Sequence, residues 1–325
     1  MRAMTIRAPG GPEVLVERSL SDPVPRAGEV LIDVTAAGVN RADLMQREGR
    51  YPPPPGAPPG PGLEVSGTIA ALGPGVAGWA VGARVCALLD GGGYAERVTA
   101  PAGQLLPVPL GLDLVDAAGL PEAVCTAWSN LTGPGRLSRG ERVLIQGGSG
   151  GVGSIAIQLA VALGARVATT AGGPERVARC VELGAELGVD HRADDVTRAV
   201  VAWSGGQGVD VVLDVLGADA LRANLEALAP GGRLVIIGLQ RGRRAELDLG
   251  LLLARRASIV GTTLRSRSAA EKSAIVAAVH AHAWPMLDDG RLRPVIHARL
   301  PLGRAGAAHE LLDSGQVFGK VLLIP

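Results

Sequence analysis

The segment RVLIQGGSGGVG, residues 142–153, restricts what this chain can fold into more than any other. Its apolar opening reads as a buried parallel strand and its glycines as a tight turn. The IAIQLA that follows reads as a helix with apolar residues at helical spacing. Gly148, Gly150 and Gly153 fall on the G-x-G-x-x-G spacing. In that motif the first glycine permits the turn, the second lets backbone approach a pyrophosphate, and the third lets helix pack on strand. Gly148, Ser149, Gly150, Gly151, Val152 and Gly153 are therefore expected to hold a dinucleotide through backbone N–H groups and the positive end of the helix. A glycine-rich turn in an unrelated α/β protein is the alternative, and the strand before and the helix after argue against it.

At 325 residues the chain is long enough for two domains. Hydrophobic residues make up 47%, charged residues 19%, and the net charge is +1, so neither nucleic acid nor a membrane surface is expected as a partner. Cys86, Cys125 and Cys180 are odd in number and far apart, with no C-x-x-C pair, which speaks against a disulfide scaffold or a zinc finger. The amino terminus, MRAMTIR, lacks an apolar leader, and no apolar run approaches ~20 residues, so a cytoplasmic protein is expected.

The first ~120 residues carry strand signals at 1–7, 14–18, 30–36, 64–70, 84–88 and 94–98. Between them, PPPPG at 52–56 and PPGPG at 58–62 must be loop or extended backbone, and 43–48 reads as a short helix. From about Leu120 strands and helices alternate. Strands are expected at 142–146, 166–170, 209–214, 233–238 and 258–262, and helices at 152–163, 175–183, 221–228 and 249–255. That alternation is what a doubly wound parallel sheet requires. A helix over 269–287, a strand at 295–300, a helix over 304–314 and a strand at 319–324 follow, and this tail is expected to return to the first domain.

A chain that binds NAD places Asp or Glu about 20 residues beyond the fingerprint, at the end of the second strand, to hold the ribose 2′-OH. Here that strand ends Ala171-Gly172-Gly173, with Arg176 and Arg179 on the helix beyond. A missing acid and a nearby guanidinium favour the 2′-phosphate of NADPH, although Glu175 keeps an acid-based site open. The run LAPGGRLVI at 228–236 also suits methyltransferases that use S-adenosylmethionine. Those also carry an acid after their second strand, and their glycine loop is spaced differently.

Residues 37–47 (AGVNRADLMQR), 51–56 (YPPPPG), 62–67 (GLEVSG), 88–93 (LLDGGG), Pro121-Glu122-Ala123, 170–172 and 263–267 (TLRSR) identify a resemblance covering essentially the whole chain. It resembles the zinc-independent, zeta-crystallin-like quinone oxidoreductases of the medium-chain dehydrogenase/reductase superfamily, most of all their tumour-suppressor-inducible branch. The resemblance implies an α/β protein. A GroES-like β-rich catalytic domain would take residues 1–120 and 265–325, and a Rossmann doubly wound parallel-sheet domain residues 121–264, with the active cleft between them. It implies NADPH and a homodimer joined through Rossmann sheet edges. Where zinc-dependent relatives place Cys, His and Cys, this chain has Asn40, Leu63 and Glu122, so no metal is expected.

By the same resemblance the cofactor would be held by Asn40, Tyr51, Thr126, the fingerprint residues, Gly172, Gly173 and Arg176. Further contacts would come from His191, Leu216, Gly238, Leu239, Gln240, Thr263, Leu264, Arg265 and Val317. His191 stands where relatives carry an aromatic over the adenine, or else is a solvated loop residue. Val317 replaces a polar residue, so a cofactor hydrogen bond from the side chain is not expected there. The implied reaction is hydride transfer from NADPH to a quinone. A reductase of enones or enoyl thioesters and a non-catalytic NADPH-binding crystallin are the alternatives. Asn40 and Tyr51 are the catalytic candidates. Each would donate a hydrogen bond to the developing oxyanion, with Tyr51 alternatively closing over nicotinamide or anchoring the proline loop. Met45, where a relative has a second tyrosine, speaks against a two-tyrosine mechanism. Asp43 is expected to cap the helix after Asn40, and Arg265 and Arg267 to face the cleft or pair with carboxylates. Cys125 is expected to be a buried thiol, Phe318 to fill core, and His280, His282, His297 and His309 to lie at the surface or between domains.

Overall fold

The computed structural model describes all 325 residues. In the amino-terminal part, β1 (Arg2–Ile6) and β2 (Leu15–Ser19) form an antiparallel pair. After them come β3 (Glu29–Val39), β4 (Glu64–Leu72), β5 (Arg84–Leu88), β6 (Arg97–Pro101) and β7 (Leu105–Pro107). The strand expected at 94–98 thus starts three residues later, and β7 was too short to stand out. Gly67 lets β3 and β4 close up, since a Cβ there would lie 2.1 Å from the Asp33 carbonyl oxygen. The two proline runs lie outside every strand and helix, and the short helix between Asn40 and the first run covers Arg41–Arg47.

The middle of the chain holds β8 (Arg142–Ile145), β9 (Arg166–Ala171), β10 (Leu187–Asp190), β11 (Val209–Asp214), β12 (Leu228–Ile236) and β13 (Ser258–Gly261). They form one parallel sheet in the order β10-β9-β8-β11-β12-β13. Chain order therefore reverses direction between β8 and β11, the place where doubly wound folds bind ligands. Leu144, Ala168, Val212 and Leu234, one from each of four adjacent strands, belong to one buried cluster. Besides the helix Pro121–Thr132, which was not expected, two further elements are not legible in the sequence. β10 is a four-residue strand containing glycine, and the helix Val196–Trp203 is rich in β-branched residues, although Asp195 caps it through the Arg198 N–H at 3.0 Å.

The tail contributes β14 (Ile296–Pro301) and β15 (Lys320–Ile324). With them the first sheet runs β14-β15-β3-β4-β5-β7, and β6 also pairs with β3. The long helix expected at 269–287 is two, Ala269–His282 and Trp284–Asp288, because Pro285 cannot continue the first. β15 lies antiparallel to β3 with Val321 opposite Val39 and Leu322 opposite Gly38. That register sets Lys320 beside Asn40.

The chain divides into two compact units. One comprises Met1–Cys125, Leu264–Gly290 and Pro294–Pro325, the other Thr126–Thr263 and Arg291–Arg293. These limits differ from 121–264 for local reasons. The helix Pro121–Thr132 begins in the first unit, tied there by the Glu122 N–H to Glu64 at 2.9 Å. Arg293 is held in the second by reciprocal backbone bonds with the Gln158 amide at 3.0 and 3.1 Å. No helix is long and apolar enough to cross a membrane.

Candidate active site

In the second unit, β8 runs into the glycine turn and then the helix Gly151–Ala162. Each fingerprint glycine has its own physical reason. A Cβ on Gly148 would lie 2.1 Å from Thr169 Oγ1, and one on Gly153 would lie 2.2 Å from the Gly147 carbonyl oxygen. Both are demanded by the protein's own packing. Gly150 is not, because its Cβ would meet nothing closer than 3.4 Å. A group approaching from outside is what a missing side chain at Gly150 accommodates. The helix beyond it has no side-chain N-cap and no acidic residue in its first turn, whereas Asp113, Asp195, Asp248 and Ser268 cap other helices. Its first N–H groups and positive dipole end suit a phosphate. The turn is braced from beneath. Thr170 Oγ1 accepts from the Gly147 N–H at 3.0 Å and donates to Gln146 Oε1 at 2.8 Å, and Gln146 Nε2 donates to Asn224 at 2.7 Å.

At the end of β9, two guanidinium groups converge on Gly172. A Cβ there would lie 2.9 Å from Arg192 Nε and 3.2 Å from Arg176 Nη2, and Arg176 Nε donates to the Gly172 carbonyl at 2.6 Å. The Asp190 carboxylate close by accepts from the backbone N–H groups of Gly173 and Arg192 at 2.9 and 3.1 Å. Arg192 was not recognised in the sequence, since its position beyond a short third strand carries no motif. His191 beside it is half-buried, and burial with the Arg241 charge lowers its pKa, so the imidazole is neutral near pH 7.

Leu216 follows β11, and Gly238, Leu239 and Gln240 follow β12. The two loops are bonded together, with the Gln240 N–H on the Val215 carbonyl at 3.1 Å and the Arg241 N–H on that of Leu216 at 2.7 Å. Asp214, fully buried, secures the first loop through the N–H groups of Leu216 and Gly217 at 3.1 and 2.8 Å. Thr126 accepts the Asn130 amide on its carbonyl at 2.8 Å, and Thr263 follows β13. Val317 and Leu264, both buried, lie in the first unit, where Val317 joins the hydrophobic core. Phe318 is buried as well.

The first unit gathers a polar cluster around Asn40. Lys320 Nζ donates to Asn40 Oδ1 at 2.6 Å and to Glu64 Oε1. An ammonium can only donate, so this contact fixes the amide orientation. Asn40 Nδ2 then donates to Glu64 Oε1 at 2.9 Å and, at 3.4 Å, to the Gly38 carbonyl. Asn40's amide protons are thus committed inside the fold, not offered outward as the sequence suggested. Gly38 has no alternative, as a Cβ would stand 2.2 Å from Glu64 Oε1. Leu63 is buried, and the half-buried Glu122 gives its N–H to Glu64 while its carboxyl holds no hydrogen bond. Burial, reinforced by the Glu64 charge, pushes the Glu122 carboxyl up to about 8.

Beside this cluster, Arg265 lies over the Tyr51 ring at 5.5 Å, with Nε donating to the Asp90 carbonyl at 2.7 Å. Lys272 bonds the Asp90 carboxylate, and Arg267 pairs with Glu271 at 3.8 Å. The half-buried Tyr51 is followed by the proline loop, which Gln46 Nε2 holds through the Pro59 carbonyl at 2.9 Å.

A buried chain leads away from Asn40. Asp43 accepts from the N–H groups of Asn40 and Gly62 at 2.8 and 2.9 Å and from the Tyr94 hydroxyl at 3.1 Å. Tyr94 Oη lies 3.1 Å from His309 Nε2, and Arg47 Nη1 lies 3.4 Å from His309 Nδ1. Arginine can only donate, so Nδ1 accepts, the ring proton sits on Nε2, and every bond points from Arg47 toward Asp43. The surface or interdomain place expected for His309 is corrected here, for the ring is fully buried within one unit and edge-on to Tyr94. Burial lowers its pKa to about 3 and raises that of Asp43 to about 6. Cys125 is a buried thiol whose pKa is raised by that burial.

Two family models match the chain, the alcohol dehydrogenase GroES-like domain over residues 26–110 and the zinc-binding dehydrogenase over residues 151–279. The quinone oxidoreductase of Rattus norvegicus is 34% identical over 327 residues, covering 100% of this chain and 98% of that protein. The crystal structure of Escherichia coli quinone oxidoreductase complexed with NADPH superposes with a TM-score of 0.91 at 26% identity, covering 100% of both chains. A 2-haloacrylate reductase structure is 30% identical with a TM-score of 0.84, covering 100% of this chain and 99% of that one.

The buried imidazole makes the fold acid-sensitive in a defined window. Between about pH 6.5 and 3 the unfolded chain takes up a proton at His309 that the folded chain refuses, so stability falls as pH drops. Asp43, with its raised value, acts oppositely between about 4 and 6. His309→Gln removes only the first effect, so its urea-unfolding free energy should fall less on acidification from pH 6.5 to 4 than that of the parent. An equal or steeper fall would show that His309 is not held neutral.

Proposed function

The chain belongs to the quinone oxidoreductases of the medium-chain dehydrogenase/reductase superfamily, and from that membership we propose that it reduces a quinone with NADPH and without zinc. The contact of Lys320 with Asn40 and Glu64 carries the metal-free part. At positions where zinc-dependent relatives place ligands stand an amide tied to a lysine, the buried Leu63, and Glu122. That donor set offers no thiolate or imidazole and holds an ammonium in their midst, so it does not fit Zn²⁺.

The second unit fits NADPH. The uncapped helix end after Gly150 would take the pyrophosphate, and Arg176 and Arg192 the 2′-phosphate, for which two guanidinium groups are the fitting chemistry, with the nearby Asp190 carboxylate taken up by the backbone N–H groups of Gly173 and Arg192. His191 would cover the adenine, and the loops carrying Leu216, Gly238, Leu239 and Gln240, with Thr126 and Thr263, would line the rest. Bound NADPH supplies the hydride.

The residues of the first unit handle the proton and the developing charge. Tyr51 donates its hydroxyl to the acceptor oxygen. Glu122, protonated at neutral pH with no internal partner, delivers the proton that completes reduction and recovers one from water. Asn40 positions Glu64 and Lys320. An enone is reduced by the same steps, and the similarity to a 2-haloacrylate reductase favours that as a second acceptor class. A second copy of the chain would sit on the unpaired side of β13, the sheet edge, near the exposed Leu249 and Leu253.

Arg176→Ala and Arg192→Ala should each weaken NADPH about 10-fold while leaving NADH within about twofold, as measured by fluorescence titration. Equal losses for both nucleotides would remove the 2′-phosphate role. Quinone reduction should slow as pH rises through about 8, where Glu122 ionises. Glu122→Gln should lower kcat about 100-fold or more and abolish that alkaline limb. Retention of the limb in the variant would assign it to another group.

A further inference from the structure

We propose that Arg265 holds a carboxylate carried by the acceptor, so that the favoured substrates are conjugated carbonyl compounds bearing a carboxylate group. This rests on the reading of the chain as a reductase of conjugated acceptors. Four cations are buried in the first unit, and three have a carboxylate bonded to them: Lys320 has Glu64, Lys272 has Asp90 and Arg47 has Glu48. Arg265, 3% exposed, has none. Its Nε is used on the Asp90 backbone carbonyl, while Nη1 and Nη2 are buried without a hydrogen-bond partner. Buried charged donors left unmade are destabilising, and a fold keeps them where something else completes them.

The carboxylates whose charge Arg265 feels cannot serve. Asp43 already accepts from two backbone N–H groups and the Tyr94 hydroxyl. Asp90 is bonded to Lys272. Glu122 is uncharged at neutral pH. What is unfilled is the fork of a guanidinium, two coplanar nitrogens whose hydrogens match the two oxygens of a carboxylate. The dinucleotide's phosphates would find their own donors in the second unit, at the uncapped helix start after the glycine turn and at Arg176 and Arg192. The half-buried Tyr51 lies with its ring against the guanidinium, so the fork stands beside the hydroxyl that meets the acceptor oxygen.

The test compares 4-oxo-2-pentenoate with its methyl ester, which share the conjugated ketone and differ in the carboxylate. Calorimetric titration of each onto the protein loaded with NADP⁺, which cannot transfer hydride, reads affinity without turnover. The acid should bind at least about 10-fold more tightly than the ester. In Arg265→Gln that advantage should shrink to within about twofold, with ester and NADP⁺ affinities unchanged; Arg265→Lys, which keeps charge but loses the fork, should fall between. Acid and ester binding alike to the parent protein would overturn the proposal, whatever the variants do. A Gln variant that loses NADP⁺ affinity instead would assign Arg265 to the cofactor, as the sequence implied. Oxidation of NADPH by neutral 1,4-naphthoquinone, followed alongside, reports on the reductase reading alone. It would persist if only the carboxylate site were wrong.

Discussion

An ammonium, a carboxylate and an amide out of reach of water hold the first unit's site together. Lys320 reaches Glu64 and Asn40 only because β15 runs back along β3, so the tail's return is a requirement of the site as much as of the sheet. Removing one member of such a buried pair strands the other charge, at about 3–5 kcal/mol. The rest of the neighbourhood is arranged around that constraint. Gly38 carries no side chain because Glu64 occupies the space, and the helix beginning at Pro121 starts where the second Glu64 oxygen can accept its N–H. Glu122 is thereby carried beside a carboxylate that raises its pKa.

Support for this cluster extends inward. Asp43 is fixed by two backbone donors and a tyrosine hydroxyl, and the tyrosine is oriented in turn by a neutral histidine and a buried arginine. A chain whose donors all point one way leaves each member a single arrangement, which suits a site that must present groups in fixed positions. The second unit achieves the same end with backbone. Its glycine turn is shaped by what Gly148 and Gly153 must avoid and is left open at Gly150, where the protein itself has no need of glycine.

What could be seen in the sequence divides along the same line. The turn at 147–153 and the alternation of strand and helix around it are local, and local patterns are legible. So were the edges of most strands, with errors where an element was short, as at β7 and β10, or was ended by proline, as at Ala283–Pro285. The cluster was not legible. Asn40 and Glu64 stand 24 residues apart and Lys320 lies 256 beyond Glu64, in a run of leucines and valines that reads as an ordinary closing strand. Asn40 looked like a free amide because nothing nearby announces a lysine, and His309 looked superficial because its partners are Tyr94 and Arg47. Arg192 carries no local signal, because the strand before it is four residues long and contains glycine.

The proposal open to the most direct measurement is that the acceptor is reduced without a metal, beside a buried cluster that the chain's own Lys320 holds together through Glu64 and Asn40. The direct measurement is the rate of NADPH-dependent quinone reduction before and after exhaustive chelation, with metal content determined on the same samples by elemental analysis. Full activity in protein carrying far less than one equivalent of zinc is the predicted result. Activity that falls with the metal and returns on adding zinc would contradict it.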